Sequence, residues 1–429
     1  MKKMMALSFI ILLLILLFTG MPVAFALITV GALGIIFNSG FDILLSVIST
    51  TVFRSVNSFS FITIPLFILM AELISRSRIA EDLFDALRKW IGQLPGGIGV
   101  TTVFSSAGFG ALSGSSLAAT SIMSKIAIPQ MIRVGYKDTF SAGLVASSTG
   151  TLAVMIPPSI PLIIYGIQTE TSIGQLLIAG IVPGLLLALL LSIYVTVAAL
   201  RSDRVVEKFT WKERFQSITY IWPIALLIIA VLLVIYTGIG TSTEAAAIGA
   251  LGALIIGVLA KRLNGRLIVE SLLITVRQTS MLFFIVVGAY LFSYFITMTR
   301  IGVYIVDTIE ASNLSPITIL LLVILLYLVL GCFLDLLSAM LLTLPVVLPL
   351  MMGLGYDPIW FGILVVLLLE IGLVTPPLGI NLFITSSSSG VPIHKVFYGS
   401  APFLLVIMLV VILIILFPQL VLFLPNSSF

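Results

Sequence analysis

Residues 151–165 read TLAVMIPPSIPLIIY and residues 363–378 read ILVVLLLEIGLVTPPL, so each apolar run contains two adjacent prolines. A proline has no N–H, and its ring clashes with the carbonyl four residues earlier, so a proline pair breaks a helix. Carbonyl groups freed in this way are costly in hydrocarbon unless they are buried in protein or line a cavity. The two stretches therefore predict two broken helices with a shared task.

The composition around these stretches is that of a membrane protein. Of 429 residues, 60% are hydrophobic and 9% are charged, against about 25% charged in a typical soluble domain. We predict an all-α polytopic membrane protein that forms a single integral domain over 1–429. The net charge of +4 is interpreted as loop lysines and arginines that set orientation, not as a nucleic-acid surface. Runs long enough to span lie at 4–19, 21–37, 59–75, 139–168, 175–200, 218–237, 244–260, 279–299, 358–389 and 400–424.

The chain has few residues that could carry out catalysis or bind a metal tightly. The chain has one cysteine, Cys332, and one histidine, His394, which excludes an internal disulfide and a histidine pair for a metal. No lysine follows a glycine, so there is no phosphate-binding loop for ATP. A serine nucleophile needs a base, and His394 lies in a predicted cytoplasmic loop. We therefore expect a protein that is not an enzyme.

Two further apolar segments, 98–125 and 316–349, predict re-entrant helical hairpins. Small residues occupy 17 of the 23 positions from 99 to 121, with SGSS at 113–116 near the middle. Each half is then about 13 residues, too short to span a bilayer alone. The second segment has GCFLD at 331–335 at its tip, and a carboxylate in apolar surroundings needs a partner or a task. For the flanking small residues, close helix packing is the alternative interpretation.

A weak internal repeat relates the two halves of the chain at an offset of about 220 residues. The matching positions are Ile74, Arg78, Ile79 and Asp85 with Ile296, Arg300, Ile301 and Asp307; Pro129, Met131, Gly135 and Tyr136 with Pro349, Met351, Gly355 and Tyr356; and Pro157-Pro158 with Pro376-Pro377. We predict a first repeat at 59–200 with hairpin 98–125 and a second at 279–424 with hairpin 316–349.

The charges predict that the two repeats are inverted. Segments 76–89 and 125–137 hold seven lysines and arginines, whereas their counterparts 298–311 and 345–357 hold only Arg300. By the positive-inside rule the first pair is cytoplasmic and the second external. Inverted repeats are common in secondary transporters, where the substrate site lies at the repeat interface near the membrane midplane.

These residues suggest which ions and substrate groups the protein binds, and each also has an alternative interpretation. The proline breaks present neutral oxygens suited to Na⁺, or they are structural kinks. Arg300 suits a substrate carboxylate, or it anchors the helix at the interface. Asp335 binds a cation, holds a neighbouring amide, or pairs with Arg300. We interpret Glu370 as interior, and Glu244 as a helix-start carboxylate or a domain contact.

The chain resembles the large, DctM-like membrane subunit of tripartite ATP-independent periplasmic (TRAP) transporters over essentially its whole length. The motifs that carry the resemblance are LSGSS at 112–116, MIPPSI at 155–160, FLD at 333–335, GYDPIWFG at 355–362 and EIGLVTPP at 370–377. The resemblance implies a sodium-driven elevator in the bacterial inner membrane. It also implies a small four-helix membrane subunit, a periplasmic substrate-binding protein, and an organic acid substrate such as a C4-dicarboxylate or sialic acid.

The resemblance further implies site residues. One Na⁺ is expected between the first hairpin tip and the first break, at Gly110, Ser113, Ser115, Ala153, Ile156, Pro157 and Ser159. A second is expected at Gly331, Asp335, Gly372, Thr375 and Leu378, and the substrate at Arg300, Asp335, Ser115 and Ser116. Beyond the first tip, at Ala118, Ala119 and Thr120, the sequence departs from the acidic or polar residue expected there, so no role is assigned.

Energetics favour two or more co-transported Na⁺. Hundredfold accumulation costs about 2.7 kcal/mol, and one positive charge moving inward through 100 mV yields about 2.3 kcal/mol. A monoanion with a single Na⁺ moves no net charge and gains nothing from the voltage. The main alternative is a stand-alone sodium/carboxylate symporter that needs no binding protein; a channel is the alternative from another class.

Overall fold

The computed structural model describes residues 2–52, 57–200, 209–301, 304 and 314–428. Within these ranges the chain forms helices and turns and no β-strand, as predicted. The α-helices are α1 Lys2–Phe18, α2 Val23–Ser39, α3 Phe41–Val47, α4 Thr63–Arg76, α5 Ile79–Ile91, α6 Gly97–Ser113, α7 Ser116–Arg133, α8 Asp138–Met155, α9 Ile160–Thr169, α10 Ile173–Ala179, α11 Ile181–Leu200, α12 Trp211–Tyr236, α13 Ser242–Leu259, α14 Gly265–Thr299, α15 Pro316–Phe333, α16 Leu336–Gly353, α17 Pro358–Leu373, α18 Ile380–Ser389, α19 Ile393–Leu416 and α20 Gln419–Ser428.

The number of apolar helices confirms a multi-pass membrane protein. Among the described residues, seven helices are long and apolar enough to cross a membrane, or nine if each of two bent pairs is one span. The span predicted at 279–299 is too short, because α14 has 35 residues. The side chain of Asn264 accepts a hydrogen bond from Leu267 N at 2.9 Å and starts α14 a few turns before its apolar part.

Both proline pairs break a helix, as predicted. Helix α8 ends at Met155 and α9 begins at Ile160, with an angle of 45° between them. Ser159 starts α9 by accepting a hydrogen bond from Leu162 N at 3.4 Å. The second break separates α17 from α18. The peptide bonds Pro157–Pro158 and Pro376–Pro377 are both cis.

Two helical hairpins stand at the predicted places but are longer than predicted. Helices α6 and α7 have 17 and 18 residues and meet at Gly114–Ser115, and α15 and α16 have 18 each and meet at Leu334–Asp335. The predicted ends at 125 and 349 fall inside α7 and α16, because both helices continue past internal prolines. Helices of this length are about 26 Å long. That the hairpins are re-entrant stays a prediction.

Backbone conformation repeats at equivalent positions of the two halves. Arg78 and Arg300 are both left-handed, with φ of 56° and 53°. Gly135 and Gly355 follow the two hairpins with φ of 93° and 84°. The second helix of each hairpin also packs on the second half of the other repeat's broken helix, α7 on α18 and α16 on α9. These equivalent conformations and contacts agree with the predicted repeat, and its inverted orientation stays a prediction.

Most of the helices form two packing groups. The outer group consists of α2, α4, α12, α13 and α14, which pack on one another chiefly as α2 on α14 and α4 on α13. The hairpin group consists of α6–α9, α11 and α15–α19, with α8 at its centre against α6, α7 and α19. Helix α5 packs on α6 of the hairpin group and on α12 of the outer group.

Candidate functional site

The tips of the two hairpins line one cavity of about 260 Å³. Residues 114–117 of the first tip and 335–337 of the second contribute to it. The opposite wall comes from the outer group, through Ile68 of α4 and Gln278, Met281, Leu282 and Ile285 of α14. The cavity therefore lies between the two packing groups, next to both tips.

Three of the four residues predicted to contact substrate line this cavity. Ser115, Ser116 and Asp335 are at its wall. Arg300 is not among the lining residues; it is exposed at the C-terminal end of α14, where its N–H donates to Thr297 O at 3.1 Å. Among the described residues, no ion pair joins Arg300 to Asp335 within 4.0 Å. The structure thus places two serines and one carboxylate in a mostly apolar cavity lining that does not include Arg300.

Asp335 holds the start of α16. One of its carboxylate oxygens accepts a hydrogen bond from Ser338 N at 3.1 Å. Helix N-termini leave N–H groups without helical partners, and a capping carboxylate satisfies one of them. This contact agrees with one of the three predicted roles of Asp335, shaping the site through a neighbouring amide, and its cation-binding role stays a prediction. It still reaches the cavity.

The first predicted sodium cluster is brought together at the contact between the first tip and the first break. A Cβ on Gly110 would lie 2.5 Å from Ala153 Cα, so the two backbones touch. Gly114 O accepts a hydrogen bond from Ile160 N at 3.3 Å, and a Cβ on Gly114 would lie 2.7 Å from Pro158 O. Neither proline of this break has an N–H to donate to the carbonyl four residues before it. Of the other predicted members, Ser113, Pro157 and Ser159 are buried, and Ser115 and Ile156 are partly buried.

The second predicted cluster repeats this contact but is more open. Gly331 and Gly372 approach each other as Gly110 and Ala153 do, with a Cβ on Gly372 2.5 Å from Gly331 Cα. Thr375 donates its hydroxyl proton to Ile371 O at 2.6 Å, and Thr375 N donates to Gly372 O at 3.0 Å. Leu378 is 44% exposed. The glycine contact and Thr375 are together, whereas the proline pair beside them is exposed.

Comparison with known proteins identifies the family of the chain. The family described as "Tripartite ATP-independent periplasmic transporter, DctM component" matches residues 10–420. The chain belongs to this family. The C4-dicarboxylate TRAP transporter large permease protein of Pseudomonas aeruginosa is 36% identical over 378 residues, 87% of this chain and 88% of that protein. The sialic acid TRAP transporter large permease protein of Vibrio cholerae is 32% identical over 414 residues, 96% of each chain.

A solved structure shows the same fold at low sequence identity. The YdaH transporter of Alcanivorax borkumensis superposes with a TM-score of 0.65 and 16% identity, over 88% of this chain and 89% of that one. Together with the family match, this makes the chain a TRAP transporter large permease and a multi-pass membrane protein. As expected from its composition, it is not an enzyme, since its relatives are transporter permeases.

Two polar residues of this TRAP permease were missed in the sequence. Gln278 lines the cavity but lies just outside the predicted span 279–299. Asn381 is buried beside Glu370, and the signal that could have identified it is an amide inside an apolar segment. Glu370 is fully buried, as predicted. Glu244 is a helix-start carboxylate, because it accepts a hydrogen bond from Thr241 N at 2.6 Å in a capping box.

Proposed function

We propose that this TRAP large permease is the sodium-driven subunit that imports an organic acid across the bacterial inner membrane. The observation that carries the proposal is the cavity shared by the two hairpin tips. In carriers built from inverted repeats, the substrate site lies at the repeat interface, beside broken helices. The named relatives act on C4-dicarboxylates and sialic acid, and both are carboxylic acids.

Sodium coupling is supported by the oxygen-rich contacts that flank the cavity. Each tip meets a broken helix through a close backbone contact, Gly110 with Ala153 and Gly331 with Gly372. Unwound carbonyls and the C-terminal ends of half-helices are the groups that hold Na⁺ in carriers of this kind. We assign one Na⁺ to each contact, and the energetic argument favours at least these two ions.

An elevator motion is supported by the division into two packing groups. The hairpin group contains both tips and both broken helices, whereas the outer group supplies one flat wall of the cavity. A rigid movement of the hairpin group along the outer group would carry the cavity with both ion contacts intact. Helix α5, which packs on both groups, connects the moving and fixed parts.

The partners follow from the system type. A small four-helix membrane subunit is proposed to extend the outer group, and a periplasmic binding protein to deliver the acid. The stand-alone symporter is not favoured, since the family is that of a tripartite system.

Reconstitution tests this proposal. Proteoliposomes holding this chain with its small membrane subunit are expected to accumulate labelled N-acetylneuraminate or succinate only with an inward Na⁺ gradient and a loaded binding protein. For the monoanion N-acetylneuraminate, an interior-negative potential should speed uptake, because two or more Na⁺ carry net charge inward. Uptake of free acid without binding protein would favour the stand-alone symporter. Uptake indifferent to a clamped voltage would indicate one Na⁺ per monoanion.

The ion assignment predicts the behaviour of two hydroxyl variants. Ser115→Ala and Thr375→Ala should each raise the Na⁺ concentration needed for half-maximal thermal stabilisation about tenfold, or about 1.4 kcal/mol. Stabilisation by a ligand depends on its occupancy of the folded state, so melting curves in NaCl against choline chloride report binding without a known substrate. Melting in choline alone should stay close to that of the unmodified chain.

The matched control is Thr237→Ala. Thr237 donates to Leu233 O at 2.6 Å, the same bond type and length as that of Thr375, but it is exposed at the end of α12. Sodium curves for Ser115→Ala and Thr375→Ala that coincide with the Thr237→Ala curve would remove both ion assignments.

A further inference from the structure

A carboxylate is buried where helix α7 of the first repeat meets helices α17 and α18 of the second. Glu370 of α17 is fully buried. Its Oε2 accepts hydrogen bonds from Ser116 Oγ at 3.0 Å and from Asn381 Nδ2 at 3.3 Å. Asn381 Nδ2 also donates to Ser116 Oγ at 2.9 Å. Gly150 leaves room for the cluster, since a Cβ there would lie 2.9 Å from Glu370 Oε2.

Among the described residues, the second oxygen of this carboxylate has no hydrogen-bond partner, and the same holds for other buried oxygens on the helices around it. Glu370 Oε1 and Asn381 Oδ1 are buried without a hydrogen bond. The hydroxyls of Thr120 and Ser147 are also buried and unpartnered. Thr120 is four residues after Ser116 on α7, and Ser147 is three residues before Gly150 on α8, so each shares a helix face with the cluster. Because α7 and α8 run in opposite directions, both hydroxyls lie one turn to the same side of it.

In the part of the chain that the structure describes, no positive side chain forms an ion pair with the carboxylate. Among the described residues, Glu370 takes part in no ion pair within 4.0 Å. The charged residues of the four surrounding helices, α7, α8, α17 and α18, are Lys125, Arg133, Asp138 and Glu370 itself. Lys125, the nearest of them along α7, is nine residues from Ser116, about 13 Å along the helix. An ionised carboxylate in such surroundings needs a compensating charge.

We propose that Glu370, Asn381 and the neighbouring hydroxyls form a third, buried Na⁺ site that locks the first hairpin to the second broken helix. Na⁺ is a hard cation that takes several neutral or anionic oxygens at once, and the unpartnered atoms here are all oxygens. A water molecule would satisfy some of them but would leave the charge uncompensated. A proton on Oε1 would satisfy one acceptor only. The proposal adds to the proposed sodium coupling and rests on it for the identity of the ion.

This site has a distinct consequence for transport. Ser116 belongs to the first repeat, whereas Glu370 and Asn381 belong to the second. An ion between them joins the two repeats within the hairpin group, which moves as one body in the proposed mechanism. Ser116 also lines the cavity beside the tip, so the bound ion would fix the tip before the substrate arrives.

Equilibrium binding of ²²Na⁺ to the purified chain in detergent tests the site. Glu370→Gln keeps the shape of the side chain and an acceptor for Ser116, but it removes the charge. We expect it to lower the number of Na⁺ bound per chain by one, whereas Glu370→Asp keeps the number and weakens the binding at least several-fold. The exposed Glu81→Gln is the matched control and should leave the number unchanged.

Melting curves separate an ion site from a structural role. In choline, Glu370→Gln should melt at or above the temperature of the unmodified chain, since the uncompensated charge is gone. Replacing choline with NaCl should raise its melting temperature less than that of the unmodified chain. Equal losses in both salts, or an unchanged Na⁺ count, would overturn the third site. If the unmodified chain binds no Na⁺ at all, sodium coupling itself fails. If only the Glu370→Gln count is unchanged, the other two sites stand.

Discussion

Replacing Pro157 and Pro158 together with alanine is expected to reduce sodium-stimulated transport at least a hundredfold, or by about 2.7 kcal/mol. Alanine restores an N–H at both positions, so the carbonyls of Ala153 and Val154 regain helical donors four residues on. The helix α8 can then continue towards α9, and the oxygens assigned to the first ion become occupied by hydrogen bonds. Sodium-dependent melting and uptake in proteoliposomes both measure the loss.

Replacing the second proline pair with alanine should reduce sodium-stimulated transport less. Gly372 O already accepts a hydrogen bond from Thr375 N, and Pro376 and Pro377 are exposed. Replacing them with alanine changes fewer free oxygens, so we expect sodium-stimulated transport to fall about tenfold. Pro402→Ala is the control, because Pro402 lies inside the continuous helix α19. Wild-type sodium activation in the Pro157→Ala, Pro158→Ala variant would contradict the assignment of that break to an ion.

The breaks and the repeat were predictable because they depend on covalent chemistry and on spacing along the chain. Two adjacent prolines remove two helix hydrogen bonds in succession, and both breaks appear at the predicted residues. The equivalent conformations of Arg78 and Arg300 follow from the same offset that the sequence shows. The family resemblance placed Gly110 and Gly331 in the two sodium sites, which stay predictions, whereas their close backbone contacts come from the structure.

The wall of the cavity and the Glu370 cluster were less predictable, because they depend on how distant helices are rotated. Ser116 and Asn381 are 265 residues apart, and Ser116 and Glu370 are 254 apart. No periodicity within one helix shows which face will meet a helix of the other repeat. Arg300 illustrates the same limit, since its position at the end of α14 follows from the sequence, but its distance from the cavity depends on packing.

A leucine at Gly143 is expected to cause the largest loss of folded protein. Helices α8 and α19 cross there with their backbones in contact, since a Cβ on Gly143 would overlap the carbonyl of Gly399 and lie 2.6 Å from Ser400 N. Small residues at such crossings let membrane helices approach closely. Overpacking typically costs about 1–3 kcal/mol, and here the obstacle is backbone, which cannot rotate away as a side chain can. The yield of monodisperse protein and its melting temperature in detergent measure the effect.

The matched control separates crowding from helix propensity. Gly353 is near the end of α16, where a Cβ would meet no atom within 4 Å and the backbone is not left-handed, so leucine there should be tolerated. Equal melting temperatures for Gly143→Leu and Gly353→Leu would show that the crossing is not tightly packed.

Because α8 carries the first break and α19 follows the second, loosening this crossing should also disturb both halves of the hairpin group together. Any folded fraction of Gly143→Leu should nevertheless keep its sodium response, since the crossing lies outside the three proposed ion sites. A variant that lost the sodium response at full stability would instead place an ion contact at this crossing.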